Sequence, residues 1–331
     1  YPSYAVVSDE DMKALYAYFM HGIAPVGQPN RESDIPWPLS MRWPLAIWRG
    51  IFAPDVKAFQ PAAQERQVLA RGRNMVEGMG HCGACHTPRS ITMQEKALTN
   101  NEGSDYLAGS SAPIDGWTAS NLRGDNRDGL GRWSEEDLRQ FLRYGRNDQT
   151  AAFGGMTDVV EHSLQHLSES DITAIARYLK SLGAKDPHQA AFSVDDATAK
   201  ALWKGDDSAT GAATYVDSCA ACHKTDGSGY KRFYPALRGN PVVLADDPTS
   251  LIHIVLVGGQ LPGVNGAPST ITMPAFGWRL DDQQVADVVN FVRNSWGNKA
   301  SEPVSAKQVA ELRKDEKDRL GSADIRVLEG K

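Results

Sequence analysis

Two short stretches of the sequence place cysteine and histidine side chains at the same spacing. Residues 80–89 read GHCGACHTPR and residues 217–226 read DSCAACHKTD, so each holds two cysteines two residues apart, followed directly by histidine. All 4 cysteines of the chain belong to these motifs: Cys82, Cys85, Cys219 and Cys222. The histidines that follow them are His86 and His223. Cysteines confined to two matching motifs indicate one chemical task performed twice.

Several chemistries use thiols at this spacing. A disulfide inside the motif closes a very small loop and gives the histidine no role, and a redox-active pair belongs near a βαβ pattern, which we do not find. Two pairs that share a zinc ion lie close in sequence, whereas 133 residues lie between Cys85 and Cys219. The remaining chemistry is haem c, in which both thiols form thioethers with the vinyl groups and the histidine ligates iron. The sequence therefore predicts two haem c groups.

A haem iron with one histidine ligand has a second axial position. Methionine in that position raises the reduction potential and favours electron transfer, whereas an open position allows ligand binding and catalysis. Met156 follows His86 by 70 residues and Met273 follows His223 by 50, each in a loop before a closing helix. We predict these two methionines as axial ligands, with Met93 as the alternative for the first iron.

The segments that follow the two motifs also resemble each other. Each contains the triplet Leu-Arg-Gly, at residues 122–124 and 237–239, and then a helix with one apolar face that ends at glycine. The arginines of the triplets are candidates for neutralising haem propionates through paired hydrogen bonds: Arg123 and Arg238. On the second of these helices His253 aligns with the polar Gln140, so we expect His253 to face solvent.

A closing helix occurs in three copies, at residues 7–19, 167–179 and 280–292. Each copy begins with Ser or Asp and has Asp or Gln three residues later, which predicts a capped helix start. Met12 aligns with Ile172 and Val285, and we expect it to be buried. The chain begins at YPSYAVV, without methionine and without a haem motif for the first copy, so we expect it to be processed or truncated.

Composition limits the classes of protein that the chain can belong to. Its 331 residues, 41% hydrophobic, suit two or three domains. The net charge of −6 argues against general binding of nucleic acid, and no apolar run approaches the ~20 residues that span a bilayer. Residues 35–54 form an extended strap rich in tryptophan and proline, which either docks on a partner or membrane, or fills a groove between domains. The charged tail is predicted to be a solvated helix or a flexible end.

These motifs resemble the multihaem cytochrome c subunits of membrane-bound alcohol and gluconate dehydrogenases, which use PQQ or FAD. The similarity covers residues 1–298 and includes FGGMTDVV before one closing helix and MPAFGWRL before another. It implies that His86 pairs with Met156 and His223 with Met273 as axial ligands. It also matches Pro235 to the proline whose carbonyl oxygen holds the ligand histidine, whereas the first unit has ASNLRG there and would hold its histidine differently.

The resemblance implies an all-α fold of tandem class I cytochrome c domains. The expected organisation has two complete haem domains at 61–185 and 195–298. The remnant of a third domain occupies 1–24, the strap 25–60 and the charged tail 299–331. A third haem is then expected upstream of Tyr1.

The implied function is electron transfer in the periplasm, on the outer face of the cytoplasmic membrane, with possible peripheral association. Electrons would pass from a dehydrogenase catalytic subunit to membrane ubiquinone or a downstream cytochrome or oxidase. Three alternatives stay open: a dihaem peroxidase-like enzyme with one open iron, a cytochrome subunit of a respiratory oxidase, and a haem-based sensor. The sequence names neither the substrate nor the partner.

Overall fold

The computed structural model describes residues 2–319 apart from Arg31, Asp34 and Leu39. This part of the chain is rich in helix, as predicted, and its strands form two short antiparallel pairs that the all-α prediction lacks. The strands are β1 (Ser110–Ile114), β2 (Trp117–Ala119), β3 (Gly259–Gln260) and β4 (Thr272–Met273). The helices are α1 (Asp9–Ala17), α2 (Pro44–Phe52), α3 (Gln67–Arg73), α4 (Gly83–His86), α5 (Glu135–Tyr144), α6 (Gly155–His162), α7 (Glu169–Ser181), α8 (Ala197–Trp203), α9 (Ala212–Ser218), α10 (Ala220–His223), α11 (Pro241–Leu244), α12 (Thr249–Val257), α13 (Asp282–Arg293) and α14 (Ala306–Arg319).

The first strand pair follows from a local turn signal. Ile114 pairs with Trp117 across the two-residue loop Asp115-Gly116, and both loop residues have positive φ, 50° and 84°. Asp-Gly is among the residue pairs that favour this tight hairpin turn. The sequence prediction overlooked the hairpin because it followed helical periodicity alone.

The closing helices begin at the predicted caps. The Ser8 and Ser168 hydroxyls accept hydrogen bonds from the backbone N–H groups of Asp11 and Asp171. At α13, Asp281 and Gln284 satisfy each other's backbone N–H groups in a reciprocal capping box. The same residue pattern therefore starts all three helices.

Two hydrophobic cores form, one around each cysteine motif. The first lies between α3, α5 and α7 and contains Val76, Leu138 and Ile172. The second lies between α9, α12 and α13 and contains Tyr215, Leu256 and Val289. Because Cys82 and Cys219 border the two cores, each motif sits against its own packed helices.

Close helix crossings at glycine hold both motifs in place. A Cβ atom added at Gly72 in α3 would lie 2.1 Å from the Ala174 carbonyl oxygen in α7. One added at Gly211, which precedes α9, would lie 2.2 Å from the Asp287 carbonyl oxygen in α13. Backbones this close leave no room for a side chain, so the glycine sets how near each motif-bearing helix approaches its closing helix.

The C-terminal helix α14 is packed against the second core, and the prediction of a solvated tail was wrong for the described part. Val309 is fully buried. Arg313 donates from Nε to Asp282 at 2.7 Å and from Nη2 to the Leu280 carbonyl at 2.9 Å. Val309 and Leu312, which pack on the second core, and an arginine that donates to a backbone carbonyl and a carboxylate dock this largely charged helix. Residues 320–331 of the predicted tail lie outside the described residues.

His253 is buried, so its predicted solvent exposure was also wrong. Its side chain is 3% exposed, and its Nδ1 lies 3.1 Å from the carboxylate of Glu316, also 3% exposed, on α14. The ring centroid of Trp117 lies 4.1 Å from that of His253. The face of α12 that looks polar in sequence is therefore covered by β2 and by the tail helix.

The N-terminal segments differ from two predictions. The strap is not extended throughout, because residues 44–52 form α2, with Pro44 in its first turn. Met12 is 50% exposed, because no described element covers that face of α1. Trp37 and Trp43 of the strap are exposed, whereas Trp48 donates from its indole nitrogen to the Thr92 carbonyl at 2.8 Å. The strap is thus attached to the first unit through Trp48, whereas Trp37 and Trp43 are exposed to solvent.

We expect Gly72→Ala to destabilise the first unit, because the new methyl group forces α3 away from α7. The loss in free energy of unfolding should be about 3 kcal/mol, as for an overpacked core. Gly183→Ala is the matched control, since nothing lies within 4 Å of the added Cβ atom. Urea unfolding followed by circular dichroism measures both; equal stability of the two variants would contradict the close crossing.

We expect Val309→Asp to release α14 from the second core. The cost should be about 2–3 kcal/mol, because a buried valine contact is lost and the charged helix can undock into water. Ala310→Asp places the same charge at the adjacent, exposed position and should change stability little. Limited proteolysis of the tail should distinguish them, with faster cleavage only in the Val309 variant.

Candidate haem-binding sites

The second motif opens onto an apolar cleft. The cleft has a volume of about 170 Å³, is partly open to solvent, and is lined by Cys219, Cys222, His223 and Met273 together with aliphatic side chains of α12 and α13. Met273 lies in β4, which pairs with β3 directly after α12. The structure thus brings both predicted cysteines, the histidine and the methionine of this unit into one cavity, which Pro235 also lines, whereas Arg238 lies outside its lining.

The ring of His223 is oriented by a backbone carbonyl. Its Nδ1 lies 2.9 Å from the carbonyl oxygen of Pro235. A carbonyl only accepts, so Nδ1 carries the proton and Nε2 keeps its lone pair. Burial lowers the pKa of His223, an effect that this hydrogen bond partly offsets. A neutral, oriented imidazole is the form that ligates metal.

His86 in the first motif has the same arrangement with a different partner. Its Nδ1 lies 2.7 Å from the carbonyl oxygen of Ser120, and burial lowers its pKa. Ser120 stands two residues before Leu122, as Pro235 stands two residues before Leu237. Sequence reasoning did not select Ser120, although the shared Leu-Arg-Gly triplet marks its position.

The environment of the first cysteine in each motif favours neutral sulfur. Burial raises the pKa of Cys82 to about 11 and that of Cys219 to about 12. All four cysteines lie in the described part of the chain, and none forms a disulfide. Zinc sites and dithiol catalysts require thiolates, which surroundings of this kind disfavour, whereas a thioether is uncharged. The residues present therefore suit covalent attachment of haem.

The two predicted methionine ligands differ in their surroundings. Met273 lines the same cleft as His223. Met156, at the start of α6, packs instead against a small cluster formed by Ala152, Val160 and Val264. The alternative ligand Met93 is 61% exposed and has a φ of 67°. The structure therefore places the second ligand pair in one cleft. Met156, predicted to lie in a loop, is in the first turn of α6 and packs on a cluster that includes Val264 of the second unit.

The triplet arginines also differ. Arg123 is 5% exposed and donates from Nη1 to the Tyr106 carbonyl and to Asn100, both at 3.0 Å. Arg238 is partly exposed and forms an ion pair with Asp226 at 3.3 Å. Burial lowers the pKa of the Arg123 guanidinium, so an anion beside it would stabilise its charged form.

Buried polar atoms of the first unit fit a missing anionic group. Within the described residues, the Arg123 Nε, the Tyr106 hydroxyl and the Trp133 indole nitrogen are buried without a hydrogen-bond partner. Buried donors in native proteins nearly always have partners. Propionate oxygens accept hydrogen bonds and would satisfy such donors. Sequence reasoning missed Tyr106 and Trp133, which carry no motif.

Comparison with known proteins agrees with this chemistry. Residues 208–296 match the family Cytochrome c. The chain is 78% identical to the gluconate 2-dehydrogenase cytochrome c subunit of Pantoea cypripedii, over 99% of this chain and 75% of that protein. It is 54% identical to the cytochrome c subunit of the quinone alcohol dehydrogenase of Gluconacetobacter polyoxogenes, over 95% and 67%. It is 35% identical to the fructose dehydrogenase cytochrome subunit of Gluconobacter japonicus, over 100% and 70%.

The motif, the cleft and the family match together define a cytochrome c. At these identities and coverages, the chain belongs to the family of dehydrogenase cytochrome c subunits. Covalently bound haem c is the cofactor of this family, and electron transfer is its function. In the described part of the chain, no helix is long and apolar enough to cross a bilayer.

We expect Arg123→Leu to destabilise the first unit by about 2–3 kcal/mol, because it leaves the Tyr106 carbonyl and the Asn100 amide oxygen buried without a donor. Arg177→Leu is the control, since Arg177 is 47% exposed and pairs only at the surface with Glu135. Thermal unfolding of both variants measures the difference. Equal losses would show that Arg123 contributes no more than a surface arginine.

Proposed function

We propose that this chain passes electrons from the catalytic subunit of a periplasmic dehydrogenase to membrane ubiquinone or another respiratory carrier. The dehydrogenase would oxidise an alcohol, aldehyde, sugar or sugar acid. The observation that carries the proposal is the apolar cleft in which Cys219, Cys222, His223 and Met273 converge. Histidine and methionine ligation in dry surroundings suits rapid electron transfer at raised potential.

In the second site, Cys219 and Cys222 attach the haem and His223 and Met273 are the axial ligands. Pro235 holds the His223 ring through its carbonyl oxygen. When bound, haem c supplies a one-electron iron couple. The protein's own contribution is to orient the ligands through fixed hydrogen bonds and to exclude water through the aliphatic lining of the cleft.

In the first site, Cys82 and Cys85 attach the haem, and His86 and Met156 are the axial ligands. Arg123 neutralises a propionate, with Tyr106 and Trp133 as further donors, which would satisfy their buried polar atoms. Arg238 has the equivalent role in the second site, where Asp226 orients it. The chain then carries two haems, one in each of the domains 61–185 and 195–298.

The strap is the surface that we assign to peripheral membrane association. Trp37, Trp43 and Ile51 are 79%, 66% and 67% exposed. Arg42 and Arg49 add positive charge to a segment, 35–54, that contains no acidic residue. Exposed tryptophans with flanking arginines suit the interface of an anionic bilayer, which would place the protein at the outer face of the cytoplasmic membrane.

The test is the visible spectrum of the reduced protein, with haem counted per chain, before and after addition of carbon monoxide. We expect two haems and no change, because methionine blocks both axial positions. Met156→Ala and Met273→Ala should each make one haem bind carbon monoxide. Met93→Ala, at the alternative position, should leave both haems unreactive.

A carbon monoxide shift in the unsubstituted protein would contradict one ligand assignment and favour the peroxidase-like alternative. Carbon monoxide binding by the Met93 variant would transfer the first ligand assignment from Met156 to Met93. A haem count of one would remove the two-site proposal.

A further inference from the structure

The second cleft is not built from one unit alone. Residues 150–153, from the first unit, line it together with the motif and the ligand of the second unit. Thr150, Ala151 and Ala152 are each at most 8% exposed, and Phe153 is half-buried. A segment more than 60 positions before Cys219 in sequence is therefore part of the wall that surrounds the second haem.

This segment is held firmly at both ends. The Ala152 N–H donates to the Gly145 carbonyl at 2.7 Å, and the Thr150 N–H donates to the Asn147 side chain at 2.9 Å. Arg146 is 6% exposed and donates from Nη2 to the carbonyls of Ala267 and Ser269 in the second unit, at 2.7 and 3.1 Å. Bonds of this kind fix the wall in one position.

The side chain of Asn240 links Thr150 to the backbone segment that holds His223. The Asn240 amide nitrogen donates to the Thr150 hydroxyl at 3.0 Å and to the Ala236 carbonyl at 2.8 Å. Ala236 directly follows Pro235, whose carbonyl holds His223. The hydroxyl of Thr150 is therefore linked to the backbone that orients the ring.

Phe153 also lies close to the residues predicted for the first site. It lies three residues before Met156, and its ring centroid is 5.1 Å from that of Trp117. Trp117 lies on β2, three residues before Ser120, whose carbonyl holds His86. The Thr118 N–H donates to the Ser250 hydroxyl on α12 at 2.9 Å. Phe153 thus lines the second cleft and also contacts Trp117, which lies close in sequence to the residue that holds His86.

We propose that Phe153 and Thr150 of the first unit are positioning residues for the second haem and set its reduction potential. Phe153 closes the cleft against water, and Thr150 holds, through Asn240, the backbone that orients His223. The inference rests on the proposed function, because it takes the cleft as a haem site. Its consequence is that residues 150–153, which directly precede the helix with the predicted ligand of one haem, also form a wall of the cleft of the other.

The test is spectroelectrochemistry of the full, haem-loaded chain carrying Phe153→Ala. Loss of the ring admits water to the cleft, and water stabilises the more positive oxidised iron. We expect a downward shift in the midpoint potential of the second haem, with both haems still unreactive toward carbon monoxide. Val159→Ala is the matched control, since Val159 lies on α6, directly after the loop of Phe153, but is 45% exposed, and it should shift neither haem.

Met273→His identifies the second haem, because imidazole in place of the thioether lowers that potential and changes that spectrum alone. If neither haem responds, the proposed ligation is wrong and the inference falls with it. If one haem responds but Phe153→Ala leaves its potential unchanged, or shifts only the other haem, the inference alone is overturned.

Thr150→Val provides a second measurement should Phe153→Ala fail to load haem. It keeps the shape of the side chain and removes the oxygen that accepts from Asn240. We expect a smaller shift of the second haem with the first unchanged. Identical potentials in Thr150→Val and the parent would overturn the role of Thr150.

Discussion

The hydrogen bond from each motif histidine to a backbone carbonyl is the interaction on which both sites depend. It spans 2.9 Å from His223 to Pro235 and 2.7 Å from His86 to Ser120. Each bond fixes the tautomer in which Nδ1 carries the proton, and it directs Nε2, with its lone pair, away from the carbonyl. Because burial disfavours the charged ring, the imidazole stays neutral, and the loop that carries the carbonyl must be held in register with the motif helix.

The position of the carbonyl-bearing loop relative to the motif helix depends on how the helices cross. Gly72 and Gly211 let the helix before each motif touch the backbone of its closing helix. The closing helices begin at side-chain caps, which fix where each one starts. Glycine, cap and core therefore act together. The close crossing fixes the position of the motif, and the cap fixes where the closing helix begins. The packed core between the helices supports the loop that carries the carbonyl.

The two units differ because they pack on each other. The second site collects its cysteines, histidine and methionine in one cleft, whereas the first has its predicted methionine on α6, packed against a cluster that includes Val264 of the second unit. Arg146 and Thr118 tie the units with hydrogen bonds across that contact. Contact between the units favours electron transfer, because this process needs cofactors held at constant separation in surroundings that exclude water.

The sequence by itself determined the features that depend on neighbours in the chain: the two motifs, the capped helix starts and the repeated triplet. Of the two carbonyls it predicted only that of Pro235, because ASNLRG lacks the proline that marks the position of Ser120. The Asp-Gly hairpin was equally local and could have been predicted. Only the tertiary structure decided the burial of His253 and α14 and the exposure of Met12, because burial depends on which distant element covers a face. The wall of residues 150–153 belongs with these, since periodicity within one unit carries no information about the unit that packs beside it.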